Sequence, residues 1–141
     1  MANSIYSSAA LMEHNAYPDY KYVLKGATHE HEGVNPSCGD EMVLRLRLSD
    51  DGETIEEAAF TGHGCAVSQA SADIMAELIT GETIEEAKRL CSLFVKMIQG
   101  EELSDQARED LDEAYELEPI SRMPARVKCA ELAWRTLDEM L

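Results

Sequence analysis

At Cys65 the hydrophobic period of this chain changes from that of a strand to that of a helix, and that change decides which folds are open to it. Before it, Met42, Leu44, Leu46 and Leu48 alternate with Val43, Arg45 and Arg47, the period of two that marks a strand with one buried face. Ser49-Asp50-Asp51-Gly52 forms a turn of the residue types that tolerate one. Ile55 to Thr61, with Ala58 and Phe60 on one side, predicts the returning strand of a hairpin. Residues 20–32 are expected to be extended as well. After Cys65, Val67, Ala70, Ile74 and Leu78 recur at helical spacing, and Gly81 closes that helix.

Further helices are marked by their ends. The segment 4–15 predicts a helix opened by Ser4 and ended near Tyr17-Pro18. Thr83 with Glu86 has the form of a capping box for a helix that Gly100 closes, with Ile84, Ala87, Cys91, Phe94, Val95 and Ile98 on one face. Residues 101–119 are acidic and interrupted, with a short helix around Asp105–Leu117 that Pro119 is expected to end. Pro124 suits the first turn of a last helix. Its buried stripe is Val127, Ala130, Trp134, Leu137 and Leu141, while Lys128, Glu131, Arg135 and Glu139 point to water. Strands first and helices after predict an α+β fold: a small antiparallel three-stranded sheet with helices packed on one face.

A chain of 141 residues is expected to form a single domain, 1–141, with a core that needs no staple. No apolar run reaches the roughly 20 residues that span a bilayer. Met1-Ala2-Asn3-Ser4-Ile5-Tyr6 has neither the basic start nor the apolar stretch of a secretory signal, so a cytoplasmic address is expected. The net charge of −16, from 12 Lys and Arg against 28 Asp and Glu, argues against nucleic acid and anionic membranes as partners. It leaves room for a partner with a basic docking face, and it serves solubility equally well. Four cysteines in a chain this long read as reduced thiols rather than as a disulfide scaffold.

Three of those cysteines stand in segments of special backbone. Cys38 lies in Asn35-Pro36-Ser37-Cys38-Gly39-Asp40, Cys65 in Gly62-His63-Gly64-Cys65, and Cys129 in Arg126-Val127-Lys128-Cys129. Gly39 lets the chain turn so that Cys38 and Asp40 face one point. Taken together, Cys38, Asp40, Cys65 and Cys129 make a four-ligand set that suits tetrahedral Zn²⁺. Each segment also has an ordinary reading, as an Asx turn, a strand-to-helix connection or a solvated helix start. Arg126 lies three residues before Cys129 on one helix, so their side chains are neighbours. A guanidinium there would offset the charge of three thiolates and a carboxylate, or hold a thiolate released from the metal. Cys91 shares an apolar stripe with Ala87 and Phe94 and reads as core. His63 is a rival ligand two residues from Cys65, and His29 and His31 share one strand face where they could bind metal as a pair. All three read better as surface histidines. His14 has no ligand-type company in the sequence.

Asn35-Pro36-Ser37-Cys38-Gly39-Asp40, Gly62-His63-Gly64-Cys65-Ala66-Val67-Ser68-Gln69-Ala70-Ser71-Ala72 and Pro124-Ala125-Arg126-Val127-Lys128-Cys129-Ala130-Glu131-Leu132-Ala133-Trp134 resemble, in order, the three signatures of the IscU/SufU/NifU-N iron–sulfur assembly family. The chain is similar to its SufU branch in two respects. Lys128 stands where the scaffold branch has a His before its last Cys. The gap from Cys65 to Cys129 is long (129 − 65 = 64), and residues 101–122 look like the SufU insertion. The resemblance implies zinc held by Cys38, Asp40, Cys65 and Cys129, with Cys38 accepting persulfide sulfur from a SufS-type cysteine desulfurase. It implies that Arg126 matches a SufU-pattern arginine, and that a downstream iron–sulfur scaffold is a second partner. The alternative it leaves open is a scaffold on which a [2Fe–2S] cluster is assembled.

Overall fold

Leu44 sits opposite Phe60 and Leu46 opposite Ala58 in the register of two neighbouring strands, and all four side chains are fully buried. That cross-strand cluster is the core face of one antiparallel sheet in the computed structural model, which describes Ile5 and residues 8–141. The strands are β1 (His29–Asn35), β2 (Asp40–Leu48) and β3 (Ile55–His63), in the order β1-β2-β3. The opposite face is polar. Arg45 donates to Glu30 at 2.9 Å and Arg47 to Glu57 at 2.6 Å. The three-stranded antiparallel sheet is the one that the period of two predicts.

The first strand differs from its expectation. Within 20–28 only Lys21 forms a bridge, parallel to Phe60, and the strand proper begins at His29 and runs on to Asn35. A turn at Lys25 and Gly26 separates the two parts.

Among the described residues, five α-helices follow the α+β pattern: α1 (Ala9–Ala16), α2 (Ala66–Ile79), α3 (Ile84–Ile98), α4 (Asp105–Leu111) and α5 (Pro124–Met140). The predicted opening at Ser4 lies outside the described residues. Ser8 caps α1, its side chain accepting the Leu11 N–H at 3.3 Å, and Thr83 caps α3 through Glu86 N–H at 3.1 Å. α2 packs on β3 and α5, α5 lies over β1 and β2, and α1 covers α2. Enclosed on so many sides, α2 buries every residue from Val67 to Ala76, a wider face than its apolar stripe predicts. α3 meets α5 through Phe94 and Trp134, stacked with ring centres 4.1 Å apart. Ser71 of α2 accepts the Trp134 indole N–H at 2.9 Å and donates to Ala130 O at 2.7 Å.

Two expectations for the C-terminal half are corrected. The helix placed at Asp105–Leu117 and ended by Pro119 is α4 alone. It stops at Leu111, where Asp112 takes a positive φ of 52°. The chain then continues in 3₁₀ turns from Asp112 to Arg122, with Pro119 inside them. Leu111, Ala114, Leu117 and Ile120 are all buried there, a spacing of three that fits three residues per turn. Glu131, expected in water, is 4% exposed. Gln99 at the end of α3 donates to it at 3.3 Å and Arg135 at 2.9 Å, so its inward position is satisfied by two donors.

Candidate metal centre

Asn35 and Asp40 are register partners at the closed end of the β1–β2 hairpin. The residues between them form a tight turn in which Cys38 N–H donates to Asn35 O at 3.3 Å. Gly39 takes a φ of +72°, the left-handed conformation that favours glycine. Cys38 is therefore carried at the tip of the hairpin, half-buried. Asp40, the first residue of β2, is fully buried.

A buried carboxylate needs donors, and Asp40 has them on both oxygens. Oδ1 accepts the main-chain N–H of Cys65 at 2.9 Å and the Ser68 hydroxyl at 3.2 Å. Oδ2 accepts the Asn35 side-chain amide at 3.1 Å. Burial alone would raise the Asp40 carboxyl, but the bonds from Cys65 N–H, the Cys129 thiol, Asn35 and Ser68 outweigh it and hold the group below its ordinary value. Gly64 makes room for this. A Cβ there would meet both Asp40 Oδ1 and Ser68 Oγ at 2.5 Å, so the glycine serves the close approach of β3's exit to the carboxylate.

Cys129 lies in the second turn of α5 and is fully buried. Asn35 Nδ2 reaches its sulfur at 3.5 Å as well as reaching Asp40. Burial first, then hydrogen bonds with Cys38, Asp40 and Cys65, push the Cys129 thiol far above its ordinary range. Arg126, one turn earlier, donates from Nη1 to Cys38 Sγ at 3.4 Å. The Cys38 thiol also points at Ala125 O, 3.8 Å away.

Among the described residues, the ligand atoms of Cys38, Asp40 and Cys129 lie within 4.8 Å of one another. Two ligands on one tetrahedral ion bonded at about 2.3 Å fall inside such a separation. Cys65 is outside that mutual distance, but it caps α2, gives its N–H to Asp40 and hydrogen-bonds the Cys129 thiol. Soft sulfur donors gathered with one carboxylate, their polar neighbours satisfied, fit zinc. Asn35 and Ser68 are the site residues that sequence reading left without a role. The only signal for Asn35 is its place opposite Asp40 across a short turn.

The remaining candidates fall elsewhere. Cys91 is buried against the core, its thiol pushed up to about 12 by burial. His63 is exposed, 3.7 Å from Glu41. His29 bonds Thr28 at 2.9 Å and His31 bonds Glu139 at 2.9 Å. The isolation of His14 is corrected: the folded chain buries it between Asp73, 2.6 Å from Nδ1, and Glu113, 2.7 Å from Nε2. Its partners come from α2 and the 3₁₀ turns, too far along the chain for local spacing to reveal.

Comparison with known proteins matches residues 6–140 to the NifU-like N terminal domain model. The zinc-dependent sulfurtransferase SufU of Bacillus subtilis is 39% identical over 129 residues, covering 92% of this chain and 84% of that protein. The iron-sulfur cluster assembly scaffold protein IscU of Thermotoga maritima is 40% identical over 134 residues, covering 95% of this chain and 91% of that protein. A crystal structure from Fervidobacterium islandicum, described as an iron-sulfur cluster assembly scaffold protein for the SUF system, superposes with a TM-score of 0.85 at 33% identity. It covers 99% of this chain and 98% of that one.

Proposed function

Because this chain belongs to the NifU-like N-terminal domain family, we propose that it works in iron–sulfur cluster assembly as a zinc-dependent sulfur acceptor. Its sulfur comes from a persulfide on a SufS-type cysteine desulfurase and passes on toward a downstream iron–sulfur scaffold. The reading includes a single domain over residues 1–141 and a cytoplasmic setting. Among the described residues no helix is long and apolar enough to cross a membrane.

The observation that carries the proposal is the pairing of Cys38 with Arg126. The thiol is held at a hairpin tip with a guanidinium 3.4 Å from its sulfur, while Asp40 and Cys129 behind it are buried. One cysteine of the cluster is thus presented at the surface on a turn with a cationic donor beside it, and another is fixed in a helix. A loop thiol can move to a partner's sulfur at low conformational cost, and a helix-borne buried thiol cannot.

Zinc held by Cys38, Asp40, Cys65 and Cys129 supplies thiolates at neutral pH and brings no redox chemistry that would consume a persulfide. In the transfer itself, the Cys38 thiolate attacks the outer sulfur of the donor persulfide. The donor S–S bond breaks, the desulfurase cysteine leaves as thiolate, and Cys38 carries the new S–S bond. Arg126 donates a hydrogen bond to the Cys38 sulfur, and Asp40 keeps its place through Asn35, Ser68 and Cys65 N–H.

The similarity to IscU of Thermotoga maritima favours a second reading, a scaffold on which a [2Fe–2S] cluster is assembled. Lys128, where the scaffold branch has histidine, supports the first. Colour and metal content separate them: a colourless protein with zinc fits sulfur transfer, a brown protein with iron fits the scaffold. The direct test is desulfurase activity with and without this chain, repeated with Cys38→Ala, the transferred sulfur being trapped by alkylation and mapped by mass spectrometry. Persulfide on Cys38 and no stimulation by Cys38→Ala are expected. Persulfide mainly on Cys65 or Cys129, with Cys38→Ala still active, overturns the reading.

A further inference from the structure

Besides the cysteine cluster, one other set of ligand-type side chains among the described residues has its donor atoms within 4.8 Å of one another: His14 of α1, Glu77 of α2 and Glu113 of the 3₁₀ turns. Roughly three turns of α2 separate Glu77 from Cys65, so this is a different place in the fold.

A neutral imidazole has one N–H, yet both ring nitrogens of His14 face carboxylate oxygens, Asp73 at 2.6 Å and Glu113 at 2.7 Å. Asp73 is 1% exposed, and its other oxygen accepts Tyr20 N–H at 2.8 Å. It is an anchored acceptor, and it takes the Nδ1–H. That leaves the Nε2 lone pair 2.7 Å from Glu113, with Glu77 alongside, a place that calls for positive charge. A proton on Nε2 answers one carboxylate. A divalent cation on Nε2 answers both and turns Asp73–His14 into the carboxylate–histidine pair that orients metal-binding imidazoles. The surroundings are rich in negative charge: burial, then Glu113, Asp73 and Asp19, push the Glu77 carboxyl up despite His14. A cavity of about 310 Å³ adjoins the two carboxylates, lined by Glu77, Glu113, Asp112 and Thr80 among others but not by His14, so water can reach the carboxylate side of the group.

We infer that His14, Glu77 and Glu113 form a second cation site, one for a divalent first-row metal that prefers nitrogen and oxygen donors, with Asp73 orienting the imidazole. The class follows from the donors: one imidazole and two carboxylates suit Mn²⁺ or Fe²⁺, whereas the thiolate cluster selects softer ions. The inference is independent of what the cysteine cluster does.

The test is a titration of the full chain with Mn²⁺ near neutral pH, free Mn²⁺ being followed by its EPR signal and the His14 ring by paramagnetic broadening of its NMR resonances. One Mn²⁺ per chain is expected, with selective broadening of His14. Glu77 is exposed, so Glu77→Gln should fold normally while weakening the site by about tenfold or more. Asp73→Asn should weaken it as well, and Cys38→Ser should leave it unchanged. No Mn²⁺ uptake means that His14 holds only a proton, and it overturns the site. Uptake that ignores Glu77→Gln, or leaves the His14 resonances sharp, also overturns it.

Discussion

Asp40 accepts the main-chain N–H of Cys65 at 2.9 Å, so the hairpin that turns at Cys38 and the helix that begins after Cys65 are joined without any metal. Asp40→Ala removes that acceptor and also takes one of the two partners of Ser68, which keeps Cys65 O, and of Asn35, which keeps the Cys129 sulfur. The metal-free protein should remain folded but lose about 1–3 kcal/mol of stability. Urea unfolding in chelator, monitored by the fluorescence of Trp134, measures it. A midpoint equal to wild type would mean that the carboxylate matters only to the metal.

Gly64→Ala should damage the centre through a single methyl. Its Cβ would fall 2.5 Å from Asp40 Oδ1 and Ser68 Oγ, and neither can retreat, because each is bonded to the other. A loss of about 1–3 kcal/mol in the metal-free protein is expected for such overpacking, with a matching drop in bound zinc. Zinc content by mass spectrometry, beside a denaturation curve, checks both.

Arg126→Ala should slow persulfide uptake by about tenfold, the size of one charge-assisted hydrogen bond, and leave the far-UV circular dichroism unchanged, since the side chain is half-buried at the start of α5. Arg126→Lys should recover part of the rate, because it restores charge without the planar fork. Single-turnover transfer from a persulfidated desulfurase gives the rates, and equal rates in all three proteins would remove Arg126 from the reaction.

The stacked core around Phe94 and Trp134 includes Cys91, whose thiol burial pushes up to about 12 from 9.0. The unfolded chain ionises this thiol first, so its contribution to stability is complete below about pH 9 and is lost as pH rises toward 12. The stability difference between wild type and Cys91→Ala should therefore change by about 1 kcal/mol between pH 8 and pH 10. In the native protein at pH 8, alkylation of Cys91 should proceed only as fast as the core opens. Fast alkylation there would contradict its burial.

Sequence pattern carries the sheet and the long helices because each is written in a local period: Met42, Leu44 and Leu46 at two, Ile84, Ala87, Cys91, Phe94 and Ile98 near 3.6. The 3₁₀ turns are also periodic, with Leu111, Ala114, Leu117 and Ile120 three apart. A search tuned to two and to 3.6 passes over that spacing and lets Pro119 stand as a terminator. The cluster is legible as three segments because its turns need glycine and its donors are cysteines. What stays hidden is whatever depends on distant packing. Asn35 reaches the Cys129 sulfur only when α5 docks, Glu131 turns inward to meet Gln99, and His14 meets Asp73 and Glu113 across 59 and 99 residues of chain.

Asn35 and Cys129 touch across 94 residues, and this separation gives the cluster a place in time as well as in space. Contacts this distant close late in folding, because the intervening loop must be restricted first. A chain still emerging during synthesis presents Cys38, Asp40 and Cys65 well before Pro124 and the residues after it are made. Until α5 lies down on the sheet, those early donors face solvent without their fourth neighbour. Capture of a metal by the completed cluster would then mark that α5 has been made and has docked, and nascent chains stopped short of α5 should leave zinc in the medium.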